Sequence, residues 1–170
     1  MLVVRTPFTD DCTERPMGND ELGQMKKSHL AVEHAMDAII EVMAEIEETS
    51  SLDAELRGRL EEKTDEMTRR ILEHLEKEEQ AARVTERLFS GRPLDVEDLG
   101  RQSRQMEQVA RQFEQAVDEL QEDTDVDDDA WGHVRQQFGE LVDVLRSCSM
   151  SEWEFYRRYS TLLQPGGLSA

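Results

Sequence analysis

The chain has 170 residues, of which 39 are acidic and 20 basic, giving a net charge of −19; charged residues make up 35% and aromatic residues 5%. So acidic a surface repels the phosphates of nucleic acids and of anionic membranes, so neither is expected as a partner; it also suits a high-salt cytoplasm. Cys12 and Cys148 are too few for a disulfide scaffold, and no apolar run nears the roughly 20 residues that span a bilayer.

The length allows one domain with a sizeable core, and the abundance of Leu, Glu, Gln, Arg, Ala and Met favours long helices over strands. Residues 1–18 form an N-terminal arm punctuated by Pro7, Pro16 and Gly18. The arm lacks the charged start and apolar core of a signal peptide, so a reducing cytoplasm is the expected location. A first helix begins near Asn19 and Asp20, either of which can cap it, and Thr49-Ser50-Ser51 ends it and caps a second helix over about 52–89. Ser90-Gly91-Arg92-Pro93 is a strong stop, because Gly closes a helix end and Pro cannot continue one. A third helix is expected over about 95–121, an acidic loop over 122–129, a fourth helix over about 128–163, and a flexible tail over 164–170. The acidic loop resembles the start of a calcium-binding EF-hand, but it lacks Gly at the sixth position and has Val134 where the twelfth needs Glu, so it is read as a solvated loop.

Each helical stretch carries an apolar seam of heptad-like spacing, such as Met25, Val32, Met36, Ile39, Met43 and Ile46 in the first, and Trp131, Val134, Phe138, Leu141 and Leu145 in the fourth. Short connections between long amphipathic helices predict an all-α fold, an up-down-up-down antiparallel four-helix bundle over residues 19–163.

Six residues interrupt these seams. His74 follows His29 by 45 residues and Glu78 comes 4 later; Cys148 follows Ser103 by the same 45, with Glu152 again 4 later. His29 lies about 21 residues before the first interhelical turn and His74 about 24 after it, while Ser103 and Cys148 flank the last turn at about 22 and 23; at 1.5 Å per residue all four reach one level. Glu78 and Glu152 face the same seam one turn further on. Buried imidazole and carboxylate are costly unless paired or bound to metal, so His29, His74, Glu78 and Glu152 are candidate metal ligands, with a metal-free buried polar network as the alternative. Cys148 is either a small buried hydrophobe, a thiolate ligand or a redox sensor, and Ser103 is a filler where a ligand is absent. His34 lies roughly 500° of helical turn from His29 and has the polar neighbours Asp37 and Glu41, so it is placed on the solvent face, as is His133.

His29-x-x-Val32-x-x-x-Met36, followed by His74-Leu-Glu-Lys-Glu78-Glu79 and then Leu88-Phe89, resembles the hemerythrin HHE cation-binding domain, and the resemblance extends over residues 19–163. It implies a non-haem iron site, usually a diiron pair bridged by carboxylates, and roles in oxygen binding, iron or oxygen sensing, and the handling of peroxide or nitric oxide. Where that family places its second-half histidines this chain has Ser103 and Cys148. The resemblance therefore implies one ion on His29, His74, Glu78 and Glu152, a set that suits iron, manganese or zinc; a second ion would have only shared carboxylates, Cys148 and water. The expected function is a hemerythrin-like, non-enzymatic metal protein for sensing, storage or stress protection, with a small diatomic ligand or peroxide at the metal. The alternatives are a metal-free interaction module, whose acidic surface and arm contact a protein partner or a second copy, and a diiron peroxidase or oxidase.

Overall fold

The structure, a computed structural model, describes the backbone of residues 19–88, 96–121, 124–125 and 128–162, and the side chains of 23–83, 100–121 and 128–150. The expected arm and C-terminal tail lie outside the described residues. Among the described residues the fold is all-α, with four helices: α1 (Asn19–Thr49), α2 (Ala54–Leu88), α3 (Val96–Asp118) and α4 (Asp129–Leu162). Helix α1 packs on α2, α2 on α3 and α3 on α4.

The helix ends follow local chemistry. Ser50 sits at φ 60°, the left-handed conformation that commonly terminates a helix, and the Thr49 hydroxyl lies 3.1 Å from the Glu45 and Ile46 carbonyl oxygens it can satisfy. Helix α2 is capped by Asp53 and not by Ser51: the Asp53 Oδ1 accepts the Leu56 N–H at 2.8 Å. The reason is that Ser51 is committed elsewhere. Ser51–Leu52 (β1) pairs antiparallel with Thr124–Asp125 (β2), Ser51 opposite Asp125 and Leu52 opposite Thr124. The acidic segment expected to be a solvated loop thus contributes a short strand, which draws the α1–α2 and α3–α4 connections together. Leu52 is buried under this pairing. At α4 the Asp128 carboxylate accepts the Ala130 N–H at 2.9 Å.

The core gathers the seams. Ile39 and Ile46 of α1, Leu60, Met67 and Ile71 of α2, Phe113 and Val117 of α3, and Val134 and Leu141 of α4 are fully buried. Each large apolar side chain so buried contributes about 1.5–3 kcal/mol. Phe113 and Phe138 join α3 to α4 through rings 5.3 Å apart, tilted by 48°. The buried stripes are wider than strict heptad seams, since Ala35, Val42, Val109 and Ala116 are also buried; a helix packed on two neighbours needs that third position. Arg59–Glu45 at 2.8 Å ties α2 to α1, and Arg135–Glu47 at 3.7 Å ties α4 to α1; both pairs are solvent-exposed and weak. Among the described residues no helix is long and apolar enough to cross a membrane.

Candidate metal centre

Helix α2 turns an unusual face to the core. Alongside Leu60, Met67 and Ile71 it buries Thr64, Thr68, His74 and Glu78, the last two at 1% and 5% exposure. A helix amphipathic enough to fold keeps such positions apolar unless the polar groups have work to do there. The spacing of His74 and Glu78, one turn apart, puts both on the same stripe.

The three other helices bring groups to this stripe. From α1, the partly buried His29 ring meets His74 edge-on, with centroids 4.9 Å apart and planes at 65°. From α3, the Ser103 hydroxyl donates to Glu78 Oε2 at 3.0 Å. From α4, the buried, reduced Cys148 lies with its Sγ 3.9 Å from the Gln102 carbonyl, at the outer limit of a sulfur hydrogen bond. Its neighbour Ser149 reaches across to α1, with Oγ 2.7 Å from His29 Nε2. A cavity of about 30 Å³, room for a single water, lies between His29, Glu33, His74, Met106, Leu145 and Ser149.

The level expected from counting residues along the helices is therefore occupied by His29, His74, Glu78, Ser103 and Cys148, but not as one shell. Two subsets form: the imidazole pair, with Ser149 beside it, and the Glu78–Ser103 hydrogen bond. Among the described residues no group of three or more His, Cys, Asp and Glu side chains converges closely enough to hold a metal ion. Glu152 belongs to α4 by its backbone, while its side chain lies outside the described residues. His34 and His133 are exposed, as expected of both.

The participant that sequence reasoning passed over is Ser149. The narrow seam of α4 runs through Leu145 and Cys148, and Ser149 stands one residue off it. The signal was the spacing of 4 from Leu145, which places Ser149 on the widened stripe. Met106, 1% exposed, lines the cavity together with the two rings. Imidazole nitrogen and carboxylate oxygen are donor types that iron, manganese and zinc accept. Compared with known protein families, curated proteins and solved structures, the chain matches none of them.

Proposed function

We propose that this chain is a cytoplasmic, hemerythrin-like metal protein, an up-down-up-down antiparallel bundle that holds one ion, iron first, on His29, His74, Glu78 and Glu152. The observation that carries the reading is the edge-on contact of His29 with His74 at 4.9 Å, made across two helices with His74 only 1% exposed. Two imidazoles brought together in an apolar interior, with the Glu78 carboxylate buried one turn away, form a donor set that is otherwise expensive to bury. The antiparallel arrangement is supported by the β1–β2 pairing, which joins the α1–α2 and α3–α4 connections, and by Arg59–Glu45 flanking the first of them.

In this reading His29 and His74 would hold the ion through ring nitrogens and Glu78 through its carboxylate, which accepts the Ser103 hydroxyl in this structure. Met106 and Leu145 wall the pocket with apolar surface and limit it to a ligand about the size of water, dioxygen, peroxide or nitric oxide. Iron bound there would supply a Lewis acid and a one-electron redox centre. Such a site serves sensing, storage or protection, and the chain acts without turnover.

Protein purified without chelator and reconstituted anaerobically with ferrous iron is expected to carry about one ion per chain, and His74→Ala to carry almost none. Fewer than about 0.3 ions in the wild type, or undiminished loading in His74→Ala, overturns the reading. About two ions with an oxo-bridged near-ultraviolet band supports instead a diiron oxidase or peroxidase.

A second reading is favoured by the hydrogen bonds themselves: Ser103 on Glu78 and Ser149 on His29 partner these groups without any metal. A metal-free interaction module is then expected to gain stability in His29→Leu with His74→Leu, because apolar replacement of buried polar groups often stabilises. The same double variant of a metal protein loses the stabilisation that bound metal provides.

A further inference from the structure

We propose that the seam between α1 and α4 is a docking surface for a basic, amphipathic helix of a partner protein, with a notch at Ile40 and Gly139 that receives a large apolar side chain. The surface stands whether or not the chain binds metal. The chain repeats itself at an offset of 74 residues: Ile39 and Ile46 of α1 correspond to Phe113 and Leu120 of α3, and Met67 of α2 to Leu141 of α4, all of them buried. The β pairing falls on the same offset, since Ser51 lies opposite Asp125, its own counterpart. Each seam of the fold therefore has a counterpart, α1–α2 in α3–α4 and α2–α3 in α1–α4. The first three of these seams pack closely, whereas α1 and α4 approach less closely.

Two contacts bracket the α1–α4 seam, His29 with Ser149 at 2.7 Å and Glu47 with Arg135 at 3.7 Å. Ile40 lies between them, about three turns after His29 and two before Glu47, and so on the same side of α1 as both. An isoleucine on that side is covered wherever the neighbouring helix is close, yet Ile40 is 45% exposed. Gly139, one turn after Arg135 on α4, has no side chain to offer, and nothing stands within 4 Å of where its Cβ would be. Leu30 and Met150, at 51% and 76% exposure, each follow directly on a residue of the His29–Ser149 contact. Among the described residues, the three exposed large apolar side chains thus all flank this one seam.

The matching α2–α3 seam shows that an apolar rim is not a by-product of building the fold. There the counterparts of Leu30, Ile40, Met150 and Gly139 are Arg104, Glu114, Glu76 and Asp65, all charged, with Asp65 close to Glu114. A contiguous apolar patch kept on one seam and replaced by charge on the other marks an interaction site. The rim selects the partner. Glu33, Asp37 and Glu41 along α1 and Asp143 on α4 are exposed around the patch. With the net charge of −19 they repel a second copy of the chain and attract a cationic segment. Leu30 and Ile40 lie about 15 Å apart along α1, the length of a three-turn helix that sets apolar residues on the seam and Lys or Arg beside the acids.

The probe is a synthetic peptide of roughly 18 residues made only of Leu and Lys, with Leu at a helical period, and its control has the same composition in an order without that period. Fluorescence anisotropy with the full-length protein is expected to show saturable binding of the first peptide and at least about tenfold weaker binding of the second. Leu30→Glu and Ile40→Glu add negative charge, which by itself favours a cationic peptide, so weakening by about tenfold in each reports the lost apolar contact. Gln108→Glu, exposed on α3, adds the same charge away from the seam and is expected to leave affinity within about twofold. Gly139→Leu fills the notch, where there is room for a side chain, and favours the helix; it is expected to weaken binding without lowering the melting temperature. Equal binding of the two peptides, or undiminished binding by Ile40→Glu and Gly139→Leu, overturns the proposal. A wild-type dimer in light scattering that Ile40→Glu dissociates overturns it in favour of a second copy. Peptide binding that appears only in Phe8→Asp overturns it in favour of the N-terminal arm.

Discussion

Thr64 and Thr68 provide the sharpest test of the core. They sit one turn apart on the inner face of α2, at 1% and 4% exposure, and neither hydroxyl has a hydrogen-bond partner among the described residues. A hydroxyl buried without a partner costs about 1–3 kcal/mol. Valine copies the shape, replaces the hydroxyl with a methyl, and has nearly the same helix propensity and the same stiff χ1. Each Thr→Val substitution is therefore expected to stabilise by about 1–2 kcal/mol, and the double by roughly 2–4 kcal/mol. Scaled at 2–4 °C per kcal/mol for a chain of this size, the double variant melts about 4–16 °C higher. The two sites are close enough to couple, so both single variants are needed alongside the double. Calorimetry gives the melting temperature, and urea titration gives the free energy, with an unchanged slope confirming that the change lies in stability. A double variant less stable than wild type by about 1 kcal/mol per site refutes the reasoning, since it means that each hydroxyl makes a hydrogen bond in solution.

Three further outcomes follow from particular contacts. Met106→Ala is expected to cost about 2–5 kcal/mol, since Met106 is 1% exposed; a loss under 1 kcal/mol by urea denaturation would contradict it. Ser50→Gly, which removes a Cβ from a residue at φ 60°, is expected to raise the melting temperature by an amount worth about 1 kcal/mol. Partial burial, with Asp65 and Asp118 nearby, raises the pKa of the Glu114 carboxyl above its usual value. The folded state therefore holds this proton more tightly than the unfolded chain, and the stability it contributes in acid is lost as pH rises through the raised value. Glu114→Gln is accordingly expected to gain melting temperature at neutral pH and none in acid, a small difference given how exposed the group is.

The residues differ in how far the sequence alone could place them. Ile39, Ile46, Val134 and Leu141 are legible as core in the sequence, because a 3.6-residue period selects one face of a helix and apolar residues on that face have nowhere else to go. His74 and Glu78 were readable as buried for the same reason. Their polarity on an apolar stripe was also the signal of a site. The α2 cap falls at Asp53, past the Thr49-Ser50-Ser51 stretch expected to supply it, and Ser51 pairs instead with Asp125, 74 residues away, a pairing that no local pattern carries. Ser149 escaped because a strict heptad seam is narrower than the stripe a helix buries between two neighbours.

Local and periodic features are legible along the chain: four helices, their inward faces, and the level of His29, His74, Ser103 and Cys148. Helical rise is constant, so depth is a matter of counting residues. Which groups at that level touch follows from the packing of the helices. It set His29 against His74 and Ser149, gave Glu78 to Ser103, and left a water-sized cavity beside Met106. Those choices depend on helix rotation and separation, which are settled by packing across the whole interface and shift a side-chain contact by a few ångströms. A difference that small decides whether two groups share a hydrogen bond, and it leaves no trace in spacing along the chain.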